Sequence, residues 1–322
     1  MNFTQLRSRI ACRRLIRILG LLAFLYISTS VYFWVTQVDK VLAPTWVIPT
    51  TPKRMEMLHE DVRIPLRLGG ETICELHAFW IPVENPNAPV LLYLHGQDAT
   101  RGKNLDHANR FHDWGLNVLV IDYRGFAETY GEETPSEAKV YEDAVAALEY
   151  LKVDREIPSN KIFIYGHSLG GAVAIELATR KEAEGTAGLI VESTFTSILE
   201  MSKLRYNGLL NLLPIDFLLT ERFDSLSKIH LITRPILIIH GTEDPKVPPE
   251  MSQRLFDMAG GTPKKCFIEG AGHENCGSIG KKQYHETLEE FVAVALAQAE
   301  HRTACGTADS TVSSGISTPS SQ

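Results

Sequence analysis

The chain has 322 residues, of which 44% are hydrophobic and 22% charged, which is enough apolar material for one large globular domain. Five arginines and no acidic residue occur in the first 17 positions, which leaves 27 basic and 39 acidic side chains, a net charge of −12, for the rest. Such an acidic body argues against nucleic-acid binding and against attachment to anionic lipid by charge alone.

The first predicted element is an apolar helix over residues 18–38, after a basic N-terminal segment over residues 1–17. It contains 21 residues without a charge, and a helix of this length can cross a hydrocarbon core of about 30 Å. Tyr32, Phe33 and Trp34 lie near its end, where aromatic side chains suit the membrane interface. The pattern predicts a transmembrane signal-anchor, and therefore a membrane as one partner of the chain.

The charges around this segment predict its orientation. The arginines precede it and Asp39 and Lys40 follow it, so the positive-inside rule predicts a single-pass protein with a cytoplasmic N-terminus and the globular domain on the non-cytoplasmic side. The alternative is a cleaved signal peptide, with Ser28 and Ser30 as small residues at the cleavage site. We prefer the anchor because the apolar stretch is long and no Ala-x-Ala sequence follows it.

Residues 55–300 show short apolar runs that alternate with helical patterns. The predicted strands cover 63–68, 74–83, 90–95, 116–123, 161–166, 188–193, 235–240 and 265–270. The predicted helices cover 103–114, 136–152, 169–183, 249–259 and 281–299. Fully apolar strands indicate a parallel sheet covered on both faces. The predicted fold class is therefore α/β, a three-layer sandwich with a mostly parallel eight-stranded sheet.

One long insertion lies between the sixth and seventh predicted strands, at about residues 197–231, and we interpret it as a short cap. It contains the apolar stretch GLLNLLPIDFLL, residues 208–219, which is too short to span a bilayer. This stretch could roof an apolar acyl pocket, lie against the membrane or pack as an ordinary core helix. The composition leaves these alternatives open.

The tail over residues 301–322 is rich in Ser, Thr and Gly and has almost no large apolar residues. It cannot bury enough surface to offset its ordering entropy, which predicts disorder.

The five cysteines are scattered over the chain, at Cys12, Cys74, Cys266, Cys276 and Cys305. They form no CxxC pair and no cluster with the spacing of a zinc site, so we predict no metal and no cofactor. Buried or unreactive thiols are the preferred interpretation, and a single Cys266–Cys276 bridge stays open.

The sequence GHSLGG, residues 166–171, places Ser168 where a predicted strand meets a predicted helix. The G-x-S-x-G pattern is typical of a nucleophile elbow, a sharp turn that lifts the serine hydroxyl above the sheet. Gly166 and Gly170 lack the Cβ atoms that would clash across such a turn. Leu169 then offers its N–H at a helix N-terminus, where it can donate to a developing oxyanion.

A serine hydroxyl needs a base to remove its proton. His273 is the candidate base, in the loop after the eighth strand, and Asp244 is the candidate acid, at the end of the seventh. Glu192, at the end of the sixth strand, is the alternative acid. The second oxyanion donor is expected after the third strand, which places the backbone N–H of Gln97 there.

These pieces resemble the α/β-hydrolase superfamily from about residue 60 to 300. Within it, the chain resembles the membrane-anchored Bem-type serine hydrolases, which include monoacylglycerol and lysophospholipid lipases and protein depalmitoylases. The matching sequences are LYLHG (92–96), DYRGF (122–126), PSE (135–137), GHSLGG (166–171), ESTFTS (192–197), FDSL (223–226), HGTEDPKVP (240–248) and GAGH (270–273). The resemblance implies Ser168 as nucleophile, Asp244 as acid, His273 as base and an N-terminal membrane anchor.

The loop QDATRG, residues 97–102, departs from the family pattern, in which an Asn-containing turn of small residues is usual. We expect Asp98 and Arg101 to bring charge close to the oxyanion site and to affect substrate preference. Ala127 also follows DYRGF where glycine is common.

The leading hypothesis is a serine hydrolase that cleaves carboxylic esters or thioesters of acyl or lipid substrates. An anchor and an apolar cap on one chain fit a substrate delivered from a membrane. A serine peptidase or amidase with the same triad is the first alternative, and a non-catalytic scaffold tethered to the membrane is the second. The sequence leaves the acyl chain, the head group and the oligomeric state open.

Overall fold

The computed structural model describes residues 3–68, 71–129, 131–205 and 213–313. In these ranges eight strands form one sheet, in the order β1-β2-β4-β3-β5-β6-β7-β8. The strands are β1 (Glu60–Leu68), β2 (Glu71–Ile81), β3 (Val90–Leu94), β4 (Asn117–Ile121), β5 (Ile162–His167), β6 (Gly188–Glu192), β7 (Pro235–Gly241) and β8 (Thr262–Ile268). The predicted eight-stranded α/β sheet is confirmed, although β8 begins three residues before the predicted strand.

The strands from β3 to β8 run parallel, whereas β2 is antiparallel to both of its neighbours, β1 and β4. The carboxyl ends of the parallel strands therefore meet at one edge of the sheet, which is where ligands bind in open α/β folds. The register sets His167 of β5 opposite Glu192 of β6, and Gly241 of β7 opposite Ile268 of β8.

Helices cover both faces of the sheet. They are α1 (Phe3–Val41), α2 (Leu105–Asp113), α3 (Glu137–Glu149), α4 (Leu169–Thr179), α5 (Ile198–Arg205), α6 (Ile215–Leu218), α7 (Pro249–Met258) and α8 (Cys276–Ser313). Apolar side chains of α3, α4 and α7 pack on one face, and those of α2 and α8 pack on the other.

Strand β3 shows why the sheet is buried on both sides. Leu92 and Leu94 belong to the core on the α4 side, while Leu91 and Tyr93 belong to the core on the α8 side. Side chains alternate between the faces of a strand, so a strand without polar residues fits only a sheet that is covered twice. Each buried side chain of this size contributes about 1.5–3 kcal/mol.

Helix α1 is long and apolar enough over Arg9–Val41 to cross a membrane. It is longer than the predicted segment 18–38, because it begins within the basic segment and continues to Val41. Its last turns contact the globular domain, where Phe33 and Gln37 are buried. Leu42 follows the helix and belongs to the core on the α4 side.

The predicted cap contains α5 and α6, and its residues 206–212 lie outside the described ranges. Of the apolar stretch 208–219, the described part packs against α1: Leu213, Ile215 and Leu219 form a buried cluster with Phe33. Phe217 also lies in α6, but its side chain is 88% exposed.

Helix α8 differs from both predictions for this part of the chain. It begins at Cys276, before the predicted start at residue 281, and has a kink at Lys281. It also continues to Ser313, so residues 301–313, which we predicted to be disordered, are helical. A helix that is already nucleated and packed gains one hydrogen bond for each residue added, even where the sequence is polar.

The described cysteines, Cys12, Cys74, Cys266 and Cys276, are all free. The Cys266–Cys276 bridge that the sequence left open is therefore absent, and both of these thiols are buried.

Candidate active site

Ser168 occupies the turn between β5 and α4 with φ 54° and ψ −119°. Such a backbone conformation is unusual for a residue other than glycine, and it is expected at a nucleophile elbow. A Cβ at Gly166 would overlap the backbone of Gly170, so the turn requires a residue without a side chain there. The backbone N–H of Ser168 donates to the carbonyl oxygen of Glu192 at 2.9 Å, which fixes the elbow to β6.

The structure brings together the three residues that the sequence predicted as nucleophile, base and acid. Ser168 Oγ lies 3.0 Å from His273 Nε2, and His273 Nδ1 lies 2.7 Å from Asp244 Oδ2. A carboxylate accepts hydrogen bonds, so Nδ1 carries the proton and Nε2 is free to accept from the serine hydroxyl. His273 and Asp244 are almost fully buried, while Ser168 is partly exposed.

Asp244 is held as an ionised acceptor. Its Oδ1 accepts the backbone N–H groups of Lys246 at 2.8 Å and Val247 at 3.0 Å, and its Oδ2 also lies 3.2 Å from His240 Nε2. Burial alone would raise the pKa of Asp244, but the hydrogen bonds from His240, His273 and Val247 outweigh it and hold the pKa well below its ordinary value. The carboxylate can therefore fix the tautomer of His273.

His240 is a site residue that our sequence reasoning missed. It is fully buried, its Nδ1 lies 2.6 Å from Ser252 Oγ, and its Nε2 lies 3.0 Å from the carbonyl oxygen of Val247. It thus supports the loop that carries Asp244. Its position at the end of β7, four residues before the acid, was the available signal.

Two further histidines support the loop that carries His273. The Nε2 of His167 donates to the carbonyl oxygen of His273 at 2.9 Å, and the two rings lie 5.0 Å apart. His107 Nε2 lies 3.0 Å from the carbonyl oxygen of Glu274. Burial lowers the pKa of both His107 and His167, so neutral rings are favoured behind the base. The sequence offered His167 directly, as the residue before the serine.

Glu192, the alternative acid, lies elsewhere. Its carboxylate is fully buried and accepts hydrogen bonds from the hydroxyl groups of Tyr165 at 2.9 Å and Tyr284 at 2.6 Å. These contacts join β5, β6 and α8 beneath the elbow. Of the two candidate acids, Asp244 is the one whose carboxylate contacts His273.

The two predicted oxyanion donors lie on either side of the serine. Leu169 is the first residue of α4, directly after Ser168. Gln97 follows Gly96, and a Cβ at Gly96 would lie 3.1 Å from Ser168 Cβ, so the loop after β3 passes close to Ser168. The side chain of Gln97 donates to the carbonyl oxygen of Lys40 at 2.7 Å.

In the QDATRG loop the charge of Arg101 is paired inside the domain, whereas the expected effect of Asp98 on the oxyanion site and on substrate preference stays a prediction. Arg101 is buried and forms ion pairs with Asp122 and Glu128, and its guanidinium lies 4.5 Å from the centre of the Phe79 ring. Asp98 is exposed and its carboxylate lies 3.5 Å from Lys103 Nζ. The charge of Arg101 is therefore neutralised by two carboxylates, and these ion pairs join the loop to the segment that follows β4.

His95, before this loop, is fully buried between the rings of Tyr123 and Phe126. Its Nδ1 donates to the carbonyl oxygen of Gly96 at 2.9 Å, and burial lowers its pKa to about 4. A neutral ring in this position shapes the loop.

One group of side chains has the composition of a metal site, since ligand atoms of His167, His273 and Glu274 lie within 4.8 Å of one another. The ring nitrogens of His273 already contact Ser168 and Asp244, however, and Nε2 of His167 holds the carbonyl of His273. The group is better explained as part of the hydrolytic site, and the expectation of a reaction without a cofactor stays a prediction.

Comparison with known proteins identifies the family of the chain. Residues 85–218 match the protein family described as serine aminopeptidase, S33. Protein bem46 of Schizosaccharomyces pombe is 34% identical over 250 residues, which cover 76% of this chain and 79% of that protein. The chain belongs to the Bem46 family of α/β hydrolases. It is therefore a hydrolase, and the Bem-type resemblance predicted from the motifs is confirmed.

Another relative of this Bem46-family chain is a lipase, and a solved structure with a similar fold is an esterase. Lysophosphatidylserine lipase ABHD12 of Danio rerio is 34% identical over 186 residues, which cover 53% of this chain and 47% of that protein. The Pyrococcus furiosus esterase Pf2001 superposes with a TM-score of 0.63 at 20% identity, over 79% of this chain and 99% of that chain. The structural likeness shows that the Bem46-family chain has the α/β-hydrolase fold.

Proposed function

We propose that the chain is a membrane-anchored serine hydrolase that cleaves carboxylic esters or thioesters of acyl lipids through an acyl-enzyme. The unbroken hydrogen-bond chain from Ser168 Oγ through His273 to Asp244 is the main support. In this arrangement the base accepts a proton at Nε2 while the carboxylate stabilises the imidazolium that forms.

In the proposed reaction, Ser168 Oγ attacks the acyl carbon as its proton passes to His273. The backbone N–H groups of Leu169 and Gln97 stabilise the oxyanion, and loss of one such donor costs about 2.7–4 kcal/mol of transition-state stabilisation. His273 then protonates the leaving alcohol or thiol. Water, activated by the same histidine, attacks the acyl-enzyme and releases the acid.

The proposed substrate class rests on four observations. Helix α1 has the length and composition of a membrane span, and the described part of the cap packs its apolar side chains against that helix. Phe217 of the cap adds an exposed aromatic ring beside this contact. The related ABHD12 proteins are named lysophosphatidylserine lipases, so an acyl ester of a phospholipid with a single chain is a suitable first substrate.

The proposed orientation places the N-terminus in the cytoplasm and the hydrolase domain on the other side of the membrane. The arginines that precede the apolar stretch support it. A protease-protection assay on sealed microsomes, with epitope tags at both termini, tests it. Protection of the N-terminal tag together with loss of the C-terminal tag would reverse the assignment.

The proposed mechanism is tested with a fluorophosphonate probe on the full chain in detergent. Ser168→Ala is compared with Ser227→Ala, which removes an exposed serine hydroxyl from the loop before β7. We expect the probe to label the wild type and Ser227→Ala, with no labelling of Ser168→Ala. Labelling that survives Ser168→Ala would show that another residue is the nucleophile.

A peptidase or amidase uses the same catalytic groups, and the matching family is described as a serine aminopeptidase. Matched ester, thioester and amide substrates with one acyl chain distinguish these activities. We expect ester and thioester turnover to exceed amide turnover. The reverse order would favour the peptidase function.

A further inference from the structure

Gln37, in the predicted membrane segment, joins α1 to the cap. Its side chain is 3% exposed. Its Nε2 donates to the carbonyl oxygen of Leu218 at 3.2 Å, and its Oε1 accepts the backbone N–H of Thr220 at 2.8 Å and of Glu221 at 3.4 Å. One amide thus serves three backbone groups at and just after the end of α6, where helix carbonyl groups have no partner within the helix.

The same end of α1 also contacts the loop after β3. The carbonyl oxygen of Lys40 accepts the side-chain N–H of Gln97 at 2.7 Å, and that of Leu42 accepts the backbone N–H of Asp98 at 3.4 Å. Carbonyl groups in the last turn of a helix have no partner within the helix, so Lys40 offers a ready acceptor. Leu42, fully buried in the core, fixes this end of the helix to the domain.

Residues 37–42, here called the anchor end, therefore lie between two parts of the proposed site. On one side they hold the cap, through Gln37. On the other they hold the loop whose residue Gln97 is the proposed oxyanion donor. A donor stabilises the transition state only when its N–H is already aimed at the developing charge, so the position of this loop bears directly on the rate.

We propose that Gln37 and Gln97 are positioning residues through which the anchor end keeps the cap and the oxyanion loop in their catalytic arrangement. The inference rests on the proposed function, because it assumes that the N–H of Gln97 stabilises the oxyanion. The membrane helix is then part of the active-site scaffold as well as a means of attachment. Neither side chain carries out a chemical step.

The test uses the full chain in lipid nanodiscs, with Gln37→Met and Gln97→Met. Methionine retains much of the side-chain volume and removes the amide. Gln283→Met is the matched control, because Gln283 also donates its amide to a backbone carbonyl, that of Phe267 at 3.2 Å, but lies in α8 outside the anchor end and the oxyanion loop. The measurements are kcat and KM for a soluble acyl ester, together with the Tm.

For Gln97→Met and Gln37→Met we expect kcat to fall about tenfold to a hundredfold, because small misplacements of catalytic groups have effects of this size. KM should stay within about twofold, since a group that acts only in the transition state leaves ground-state binding unchanged. The Tm of Gln97→Met should match that of Gln283→Met, since both side chains are exposed. Gln37→Met should have a somewhat lower Tm but remain fully folded at the assay temperature, so that its loss of kcat exceeds any loss of folded protein. The kcat of the double variant should fall by less than the product of the two single fold-changes, as expected for residues that act through the same contact region, the anchor end.

Two results would overturn the inference. The first is a kcat within about twofold of the wild type in both variants. The second is a loss of activity that follows a fall in Tm, which would make the contacts merely structural. Ser168→Ala separates this inference from the proposed function: if that variant retains turnover the proposed mechanism fails, whereas if it is inactive and both methionine variants are fully active, only the positioning role fails.

Discussion

Gly170 in α4 faces the carbonyl oxygen of Leu94 in β3 so closely that a Cβ at this glycine would overlap it. The contact brings the helix that follows Ser168 against the strand that leads into the oxyanion loop. Both sides of the proposed oxyanion site thus depend on a position where only glycine fits.

Gly170→Ala should therefore destabilise the fold and disturb the site together. Overpacking in a core costs about 1–3 kcal/mol, and here the added atom meets backbone, which has little freedom to move. Thermal unfolding and fluorophosphonate labelling are the measurements. Gly20→Ala is the control, because nothing lies within 4 Å of a Cβ at that position. A Gly170→Ala protein with the Tm and labelling rate of the control would contradict the observed packing.

Asp244→Asn should lower kcat for ester hydrolysis by about 10⁴-fold, because an amide in place of the carboxylate favours the wrong tautomer of the catalytic histidine. Glu192→Gln serves as the comparison, since Glu192 contacts Tyr165 and Tyr284 and not the base. We expect the Glu192 variant to lose less than about tenfold in kcat. If the two variants lost equal activity, the assignment of Asp244 as the acid would have to be abandoned.

Arg101→Met should destabilise the protein, because it leaves the buried carboxylate of Asp122 without its cation. Breaking a buried ion pair on one side costs about 3–5 kcal/mol, which corresponds to a fall in Tm of about 10 °C for a domain of this size. Arg63→Met is the control, because Arg63 pairs with Glu75 at an exposed position and such pairs contribute less than about 1 kcal/mol. Equal Tm values for the two variants would argue against the buried network.

His95 should make the fold less stable in mild acid. Burial lowers its pKa from 6.5 to about 4, so between these values the unfolded chain binds the extra proton and the folded chain does not. Stability from this group is thus complete above pH 6.5 and declines as the pH falls toward 4, by up to about 3 kcal/mol.

The measurement is the difference in Tm between about pH 7.5 and about pH 5.5, which lies on the declining part of this range. His95→Gln should show a smaller difference than the wild type, whereas His230→Gln, which changes an exposed histidine, should match it. His107 and His167, whose pKa values desolvation also lowers, would still contribute in every variant. An unchanged difference in His95→Gln would show that burial does not lower the pKa of this ring in the folded state.

The sequence predicted those parts of the site that follow from local pattern. Ser168, Asp244 and His273 each follow a predicted strand, and parallel strands bring such positions to one edge of a sheet. The prediction that the N–H of Leu169 is an oxyanion donor also came from local pattern, because Leu169 directly follows Ser168 in the elbow. The strand order could not be read from periodicity, but alternating strands and helices are enough to indicate an α/β sandwich.

Contacts between distant segments were beyond such reasoning. Gln37 was placed correctly within an apolar helix, but its partners lie about 180 residues away in the cap, and no local pattern records them. Arg101 was misplaced for the same reason, since its charge is neutralised by Asp122 and Glu128 from elsewhere in the fold. Residues 301–313 were predicted from composition alone, which neglects the packed helix from which they continue.

The contacts of Leu42 and Gln37 have a consequence for how the molecule works at a surface. The buried side chain of Leu42 and the hydrogen bonds of Gln37 and Gln97 join the domain directly to the end of α1. These contacts restrict rotation of the domain relative to the helix. When α1 spans a bilayer, these contacts should hold Ser168 at a nearly constant distance from the membrane surface. If the proposed acyl-lipid substrate lies in the same bilayer, the two meet by diffusion in the plane of the membrane. The rate should then follow the number of substrate molecules per unit area of membrane and fall when inert lipid dilutes them.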